Sequence, residues 1–124
     1  MAHILVVEDE GSIRLFIRSV LQQKGHDIVE AVNGLEGLHC LEGDTDFALM
    51  ITDLRMPVMS GAELTEKARR QFPHLPILLI SAYLDQEWST LNNGIDFFLA
   101  KPFSHAALIS ATHLSLLGLL SSEN

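Results

Sequence analysis

Phe47-Ala48-Leu49-Met50-Ile51-Thr52-Asp53-Leu54-Arg55-Met56-Pro57 is an apolar run that ends in a carboxylate and is stopped by a proline. Five consecutive apolar residues predict a strand covered on both faces, with Asp53 at the point where that strand emerges into solvent. A lone aspartate after a strand is ordinarily a turn former or a helix cap. This one belongs to a set, because three other apolar runs end in reactive groups: Glu8 and Asp9 after residues 4–7, Ser81 after 77–80, and Lys101 after 95–100.

The segments between the runs have helical period. Ile13, Phe16, Ile17, Val20 and Leu21 recur at three- and four-residue intervals, which predicts an amphipathic helix with Ser12 as its cap and Gly25 as its stop. Residues 27–31 form a weaker second strand, and residues 34–41 a short helix that carries two glycines. After Pro57 a helix over residues 61–72 places Leu64, Ala68 and Phe72 on one face, and Pro73 and Pro76 close it off. Residues 77–80 are a fourth strand, 85–91 a short helix, Asn92-Asn93-Gly94 a turn and 95–100 a fifth strand, and a last helix runs from Ser104 to about Leu119. No repeat or linker divides the chain, so residues 1–124 are expected to form one domain with no output domain among them. Five strands alternating with five helices must pair in parallel, since each connection is long enough for a helix and too long for a hairpin. The expected fold is therefore α/β, a doubly wound five-stranded parallel sheet with helices on both faces, and its ligands bind outside the carboxyl ends of the strands.

Composition narrows the function. The chain has 16 Asp and Glu against 8 Lys and Arg, a formal charge of -8, with no basic cluster to interrupt it. Such a field repels nucleic acid, anionic membranes and any multiply charged anion that lacks a cation to escort it. The single cysteine, Cys40, lies among apolar residues and suits a reducing compartment or a buried thiol. The N-terminus lacks the basic start of a signal peptide, and the Leu-rich C-terminus is too short and too broken to span a membrane, so a cytoplasmic location is expected. The six histidines show no close metal-ligand spacing and are expected at the surface or half-buried; Tyr83 and Trp88 are expected to be packing groups.

Glu8, Asp9 and Asp53 brought together would repel one another, and each would resist ionising unless a cation sat among them. Oxygen-only ligation favours a hard divalent ion, Mg2+ first, because it accepts a few carboxylates and keeps waters for its other positions. A carboxylate nucleophile, a hard metal, a lysine and a hydroxyl are what transfer of a phosphoryl group onto Asp53 requires, with Lys101 neutralising its oxygens and Ser81 donating a hydrogen bond.

These residues resemble a known family. Ile4-Leu-Val-Val-Glu-Asp-Glu10, Thr52-Asp53-Leu-Arg-Met-Pro57 with Ser60-Gly61, Ile80-Ser81-Ala82 and Lys101-Pro102-Phe103 are similar, in order and spacing, to the receiver domain of two-component response regulators. The resemblance implies a flavodoxin-like strand order 2-1-3-4-5 and makes Asp53 the phosphoacceptor, charged by a sensor histidine kinase or a histidine phosphotransfer protein. It implies Mg2+ held by Asp53, by Asp9 directly, by Glu8 through water and by the backbone carbonyl of Arg55. Lys101 pairs with the phosphoryl group, the bond before Pro102 is expected to be cis, and Ser81 and Phe98 match the switch pair. In sequence, Glu8 stands where the family more often has Asp, Ser81 where it has Thr, and Phe98 lacks the hydroxyl of a Tyr. Arg55 and Tyr83 occupy positions where the family tunes phosphoryl lifetime.

The last helix departs from that pattern too. Leu108, Thr112, Leu116 and Leu119 fit a face that packs on the sheet, while Ala107, Ala111, Leu114 and Leu117 form a second apolar strip. In the family the surface of the fourth helix, fifth strand and fifth helix is where phosphorylation is read out, so the strip is expected to serve a homodimer or an effector protein. Two other functions fit less well. A flavin-binding module needs a phosphate loop after the first strand, where Glu8-Asp9-Glu10 would repel phosphate, and an Asp-nucleophile phosphatase needs a second carboxylate where Arg55 stands. The remaining alternative is a receiver-fold docking module that acts by constitutive contact without phosphorylation; such a chain would be expected to have lost Asp53, Lys101 or the acidic pair.

Overall fold

In the computed structural model of the protein, residues 1–44, 46–82 and 97–118 are described. They form β1 His3–Val7, α1 Gly11–Gln23, β2 Asp27–Ala31, α2 Gly34–Gly43, β3 Leu49–Asp53, α3 Gly61–Gln71, β4 Ile77–Ser81, β5 Phe97–Ala100 and α4 His105–Leu117. The five strands make one parallel sheet in the order β2-β1-β3-β4-β5, the doubly wound arrangement expected. The helix expected over 85–91, the turn after it, Tyr83, Trp88 and Leu119 lie outside the described residues.

Period-two geometry explains the continuous apolar runs. Ile4, Val6, Leu49, Ile51, Leu78 and Ile80 point to one face of the sheet, where Ile17, Val20 and Leu21 of α1 and Leu108 of α4 cover them. Leu5, Val7, Met50 and Ile77 point to the other, under Leu38 and Leu41 of α2 and Leu64 and Ala68 of α3. Both faces of β1, β3 and β4 are thus dry, as a parallel sheet requires.

Element ends show where local chemistry overrides pattern. The third strand begins at Leu49 and not at Phe47; Phe47 still packs in the core, while Ala48 is exposed. The N-cap of α1 is Glu10, with no side-chain cap bond, and Ser12 sits inside the first turn with its hydroxyl donating to Glu10 Oε2 at 3.3 Å. Gly25 does stop that helix, at a φ of 88° that only glycine adopts freely. Asn33, Ser60 and Ser104 cap α2, α3 and α4 through their side chains. In α4, Leu108 and Thr112 are buried and Leu116 is half-buried as expected, but Ser115 is buried too. Its hydroxyl donates back to the Ala111 carbonyl at 2.7 Å, which satisfies it within its own helix. Leu114 and Leu117 are exposed, whereas Ala107 and Ala111 are half-buried. No helix among the described residues is long and apolar enough to cross a membrane.

The end of the sheet remote from Asp53 is tied by an ion cluster that the sequence pattern does not announce. His3 lies between Asp27 Oδ2, 2.7 Å from Nδ1, and Asp44 Oδ2, 2.7 Å from Nε2, and its ring stacks on Phe47 at 4.3 Å. Both ring nitrogens can donate only in the imidazolium, and the bond to Asp44, followed by the Asp27 pair, raises the His3 pKa above its ordinary 6.5 against the opposing effect of burial. Asp44 is held below its ordinary 3.8 by the Asp46 amide first and His3 second. A raised histidine stabilises the fold fully below the unfolded value and loses that contribution as pH rises through the folded one; a depressed aspartate loses its contribution as pH falls. His3→Gln should therefore lower the urea midpoint more at about pH 5.5 than at about pH 8.5, and a gap that does not change with pH would show that the imidazolium contributes nothing.

Candidate functional site

Strand register brings the elements of the site together. Val7 pairs with Thr52 across β1 and β3, so one step further sets Glu8 beside Asp53, while Asp53 pairs with Ile80 and Ser81 with Ala100. Lys101 follows directly, its amide donating to the Ser81 carbonyl at 2.9 Å and its peptide bond to Pro102 cis. Asp9, Asp53, Arg55, Ser81 and Lys101 line one open cleft with Glu10 and Ala82. Carboxylate oxygens of Glu8, Asp9 and Asp53 lie within 4.8 Å of one another. Every site residue expected at the strand ends is in this cluster, with Phe98 just behind it, half-buried against Leu54 and Leu79.

Burial differs from expectation at Asp53 and is complete at Glu8. Asp53 does not stand in solvent: it is 7% exposed, with Oδ1 accepting from the Leu54 amide at 2.8 Å and Oδ2 from Lys101 Nζ at 3.1 Å. Glu8 is fully buried. Its Oε2 accepts from the Glu10 amide at 3.1 Å, and its Oε1 forms an ion pair with Lys101 Nζ at 3.0 Å. Burial first, and the Asp53 charge second, push Glu8 up to about 7, with the Glu10 amide and Lys101 pulling the other way. Burial opposes the charge on Lys101, but Glu8 and Asp53 outweigh it and hold its pKa above the ordinary value. One lysine thus faces two buried carboxylates, and these with the exposed Asp9 make an all-oxygen donor set that fits a hard divalent cation.

The loop after Asp53 is shaped by two unusual positions. The Met59 amide donates to the Pro57 carbonyl at 2.8 Å, closing a γ-turn around Val58, whose φ of 71° is a strained conformation for a β-branched residue. The turn sends Met59 inward, where its carbonyl accepts from the Gly34 amide at 3.0 Å, and the Gly61 amide then reaches the Leu54 carbonyl at 2.8 Å. A Cβ on Gly61 would overlap the Asp53 carbonyl oxygen, which gives the Ser60-Gly61 pair a physical reason. The sequence pattern did not mark Val58, nor Arg14, which donates to the main-chain carbonyl of Glu8 at 2.8 Å. A charged residue on a helix facing a strand end has no periodic signature that separates it from a solvated surface.

Residues 4–113 match the family described as the response regulator receiver domain. The chain belongs to that family. It is 35% identical over 121 residues to the response regulator protein FleR of Pseudomonas aeruginosa, a match that covers 96% of this chain and 25% of FleR. It is 32% identical over 110 residues to the chemotaxis protein CheY homolog of Campylobacter jejuni, covering 85% of each. Among solved structures, the response regulator TrrA from Thermotoga maritima, in complex with Mg(2+)-BeF, superposes with a TM-score of 0.86 at 30% identity, covering 93% of this chain and 99% of that one. This receiver is accordingly a signalling phosphoacceptor domain of the two-component type.

Burial and the Asp53 charge make ionising Glu8 costlier in the folded receiver than in the unfolded chain. The folded state binds the extra proton, so in chelator stability falls as pH rises from the ordinary 4.5 to about 7, and Glu8→Gln should remove that part of the slope in urea titrations. An unchanged slope in the variant would place the ionisation elsewhere. Gly61→Ala should destabilise the receiver by about 3 kcal/mol, read as a lowered urea midpoint, because backbone and not a pliant side chain must move; an unchanged midpoint would mean that the loop shifts freely.

Proposed function

We propose that Asp53 accepts a phosphoryl group from a phosphohistidine on a sensor histidine kinase or a histidine phosphotransfer protein. A carboxylate oxygen of Asp53 attacks phosphorus, the phosphorus–nitrogen bond of the donor breaks, and the imidazole nitrogen leaves to take a proton from water. The observation that carries this reading is the contact of Lys101 Nζ with Asp53 Oδ2 at 3.1 Å inside an acidic cluster. Lys101 neutralises charge on the transferred oxygens, and the Ser81 hydroxyl, at the end of β4 on the same cleft, donates to one of them. Glu8, Asp9, Asp53 and the backbone carbonyl of Arg55 are the groups that would hold Mg2+. When bound, the ion supplies the positive charge that lets three carboxylates and a phosphoryl group share one cleft.

Ser81 and Phe98 form the switch in this reading. Phosphorylation adds roughly 1.5 to 2 negative charges at Asp53, Ser81 is drawn toward them, and Phe98 turns into the space vacated. The response reaches a homodimer or an effector protein through the surface that includes β5 and the exposed Leu114 and Leu117 of α4. Driving such a surface from almost wholly inactive to almost wholly active needs about 5.5 kcal/mol of differential stabilisation. The domain works in the cytoplasm, where an ATP-fed kinase is charged, with no direct contact to nucleic acid or membrane, in keeping with the net charge of -8.

Intact-mass measurement after incubation with acetyl phosphate and Mg2+ tests the assignment. One phosphoryl group should be gained by the wild type, and none by Asp53→Asn or by wild type in excess chelator. A gain that survives Asp53→Asn would move the acceptor, and no gain with phosphohistidine donors either would favour the constitutive docking module.

A further inference from the structure

Glu8 is held from behind as well as from the cleft. Arg14, in the first turns of α1, donates from Nη1 to the Glu8 main-chain carbonyl at 2.8 Å and from Nε to Glu30 Oε1 at 3.0 Å. Arg18, one turn on, donates from Nη1 to Glu30 Oε2 at 2.6 Å, so both oxygens of Glu30 are engaged. Glu30 lies on β2 opposite Val6. A continuous chain of hydrogen bonds, Arg18 to Glu30 to Arg14 to the Glu8 carbonyl, thus runs from the sheet edge to the turn that carries Glu8 and Asp9.

That turn has a geometric problem to solve. Consecutive residues leaving a strand point to opposite faces, yet Glu8 and Asp9 present carboxylates to one cluster. The chain must therefore bend sharply after Val7 and hold the bend. The Glu8 amide is fixed by the Ala31 carbonyl at 3.0 Å, and the Glu8 carbonyl by Arg14, so the peptide groups on both sides of Glu8 are constrained. The side chains of Arg14 and Glu30 are only 21% and 25% exposed, and the planar guanidinium fork fixes the direction of their contact.

We propose that Arg14 is a positioning residue for the divalent cation, pinning the Glu8 carbonyl so that Glu8 and Asp9 converge, with Glu30 holding Arg14 in register. This rests on the metal-binding reading of the cleft. Mg2+ tolerates little departure from octahedral geometry, and loss of an outer partner of a metal site typically weakens affinity about 10- to 100-fold. A role through charge alone predicts the opposite sign: removing a cation near the site should tighten binding of another cation.

Isothermal titration of wild type, Arg14→Lys, Arg14→Met and Glu30→Gln with Mg2+ at fixed ionic strength separates the two roles. Arg14→Lys keeps the charge and loses the fork, so it should bind about tenfold more weakly, as should Arg14→Met, with a smaller loss in Glu30→Gln. In the metal-free state the Glu10 amide resonance, which reports the bond to Glu8 Oε2, should move in Arg14→Lys. Should Arg14→Met fail to fold, Arg14→Lys and Glu30→Gln carry the test. Wild-type affinity in Arg14→Lys, or tighter binding in Arg14→Met, overturns the positioning role and leaves the metal site standing. A wild type that binds no Mg2+ overturns the metal site, and the role of Arg14 with it.

Discussion

Two carboxylates that water scarcely reaches, Glu8 and Asp53, share a single lysine, and the rest of the molecule is arranged so that they must. Parallel pairing aligns the carboxyl ends of β1, β3 and β4, and the apolar surfaces on both faces fix that register, since a slip of one residue would turn each core side chain into the wrong layer. The hydrophobic core therefore does more than hold the sheet together. It supplies the free energy against which a crowded, partly uncompensated acidic site can be maintained.

That crowding gives the site its chemical direction. Lys101 is too little charge for Glu8, Asp9 and Asp53 together, so the cleft favours further positive charge. Leu54, the residue after Asp53, packs with Leu79 and Phe98, so the acidic cluster borders an apolar one.

Much of this was legible from residues 47–57 and the three other runs. Continuous apolar stretches without alternation report burial on both faces, and together with connections long enough for helices they yield parallel pairing, the layers and the location of the cleft. Strand and helix boundaries were less legible where capping competes: Ser12 looks like a cap, but the backbone turn at Glu10 already starts α1. The depth of Glu8 and Asp53 was hidden because burial at a strand end depends on how the flanking loops close over it. His3, Arg14 and Val58 were illegible for a shared reason. Each acts through partners distant in sequence or through a single backbone torsion, and neither leaves a periodic trace.

The sheet order also leaves two edges. β2 and β5 are the outermost strands, and an outermost strand invites another chain to pair with it. β2 guards itself with Asp27, engaged by His3, and with Glu30, engaged by two arginines, so an intruding strand would have to strip water from charged groups on both faces. Charge on both faces of that border makes pairing with a further strand costly.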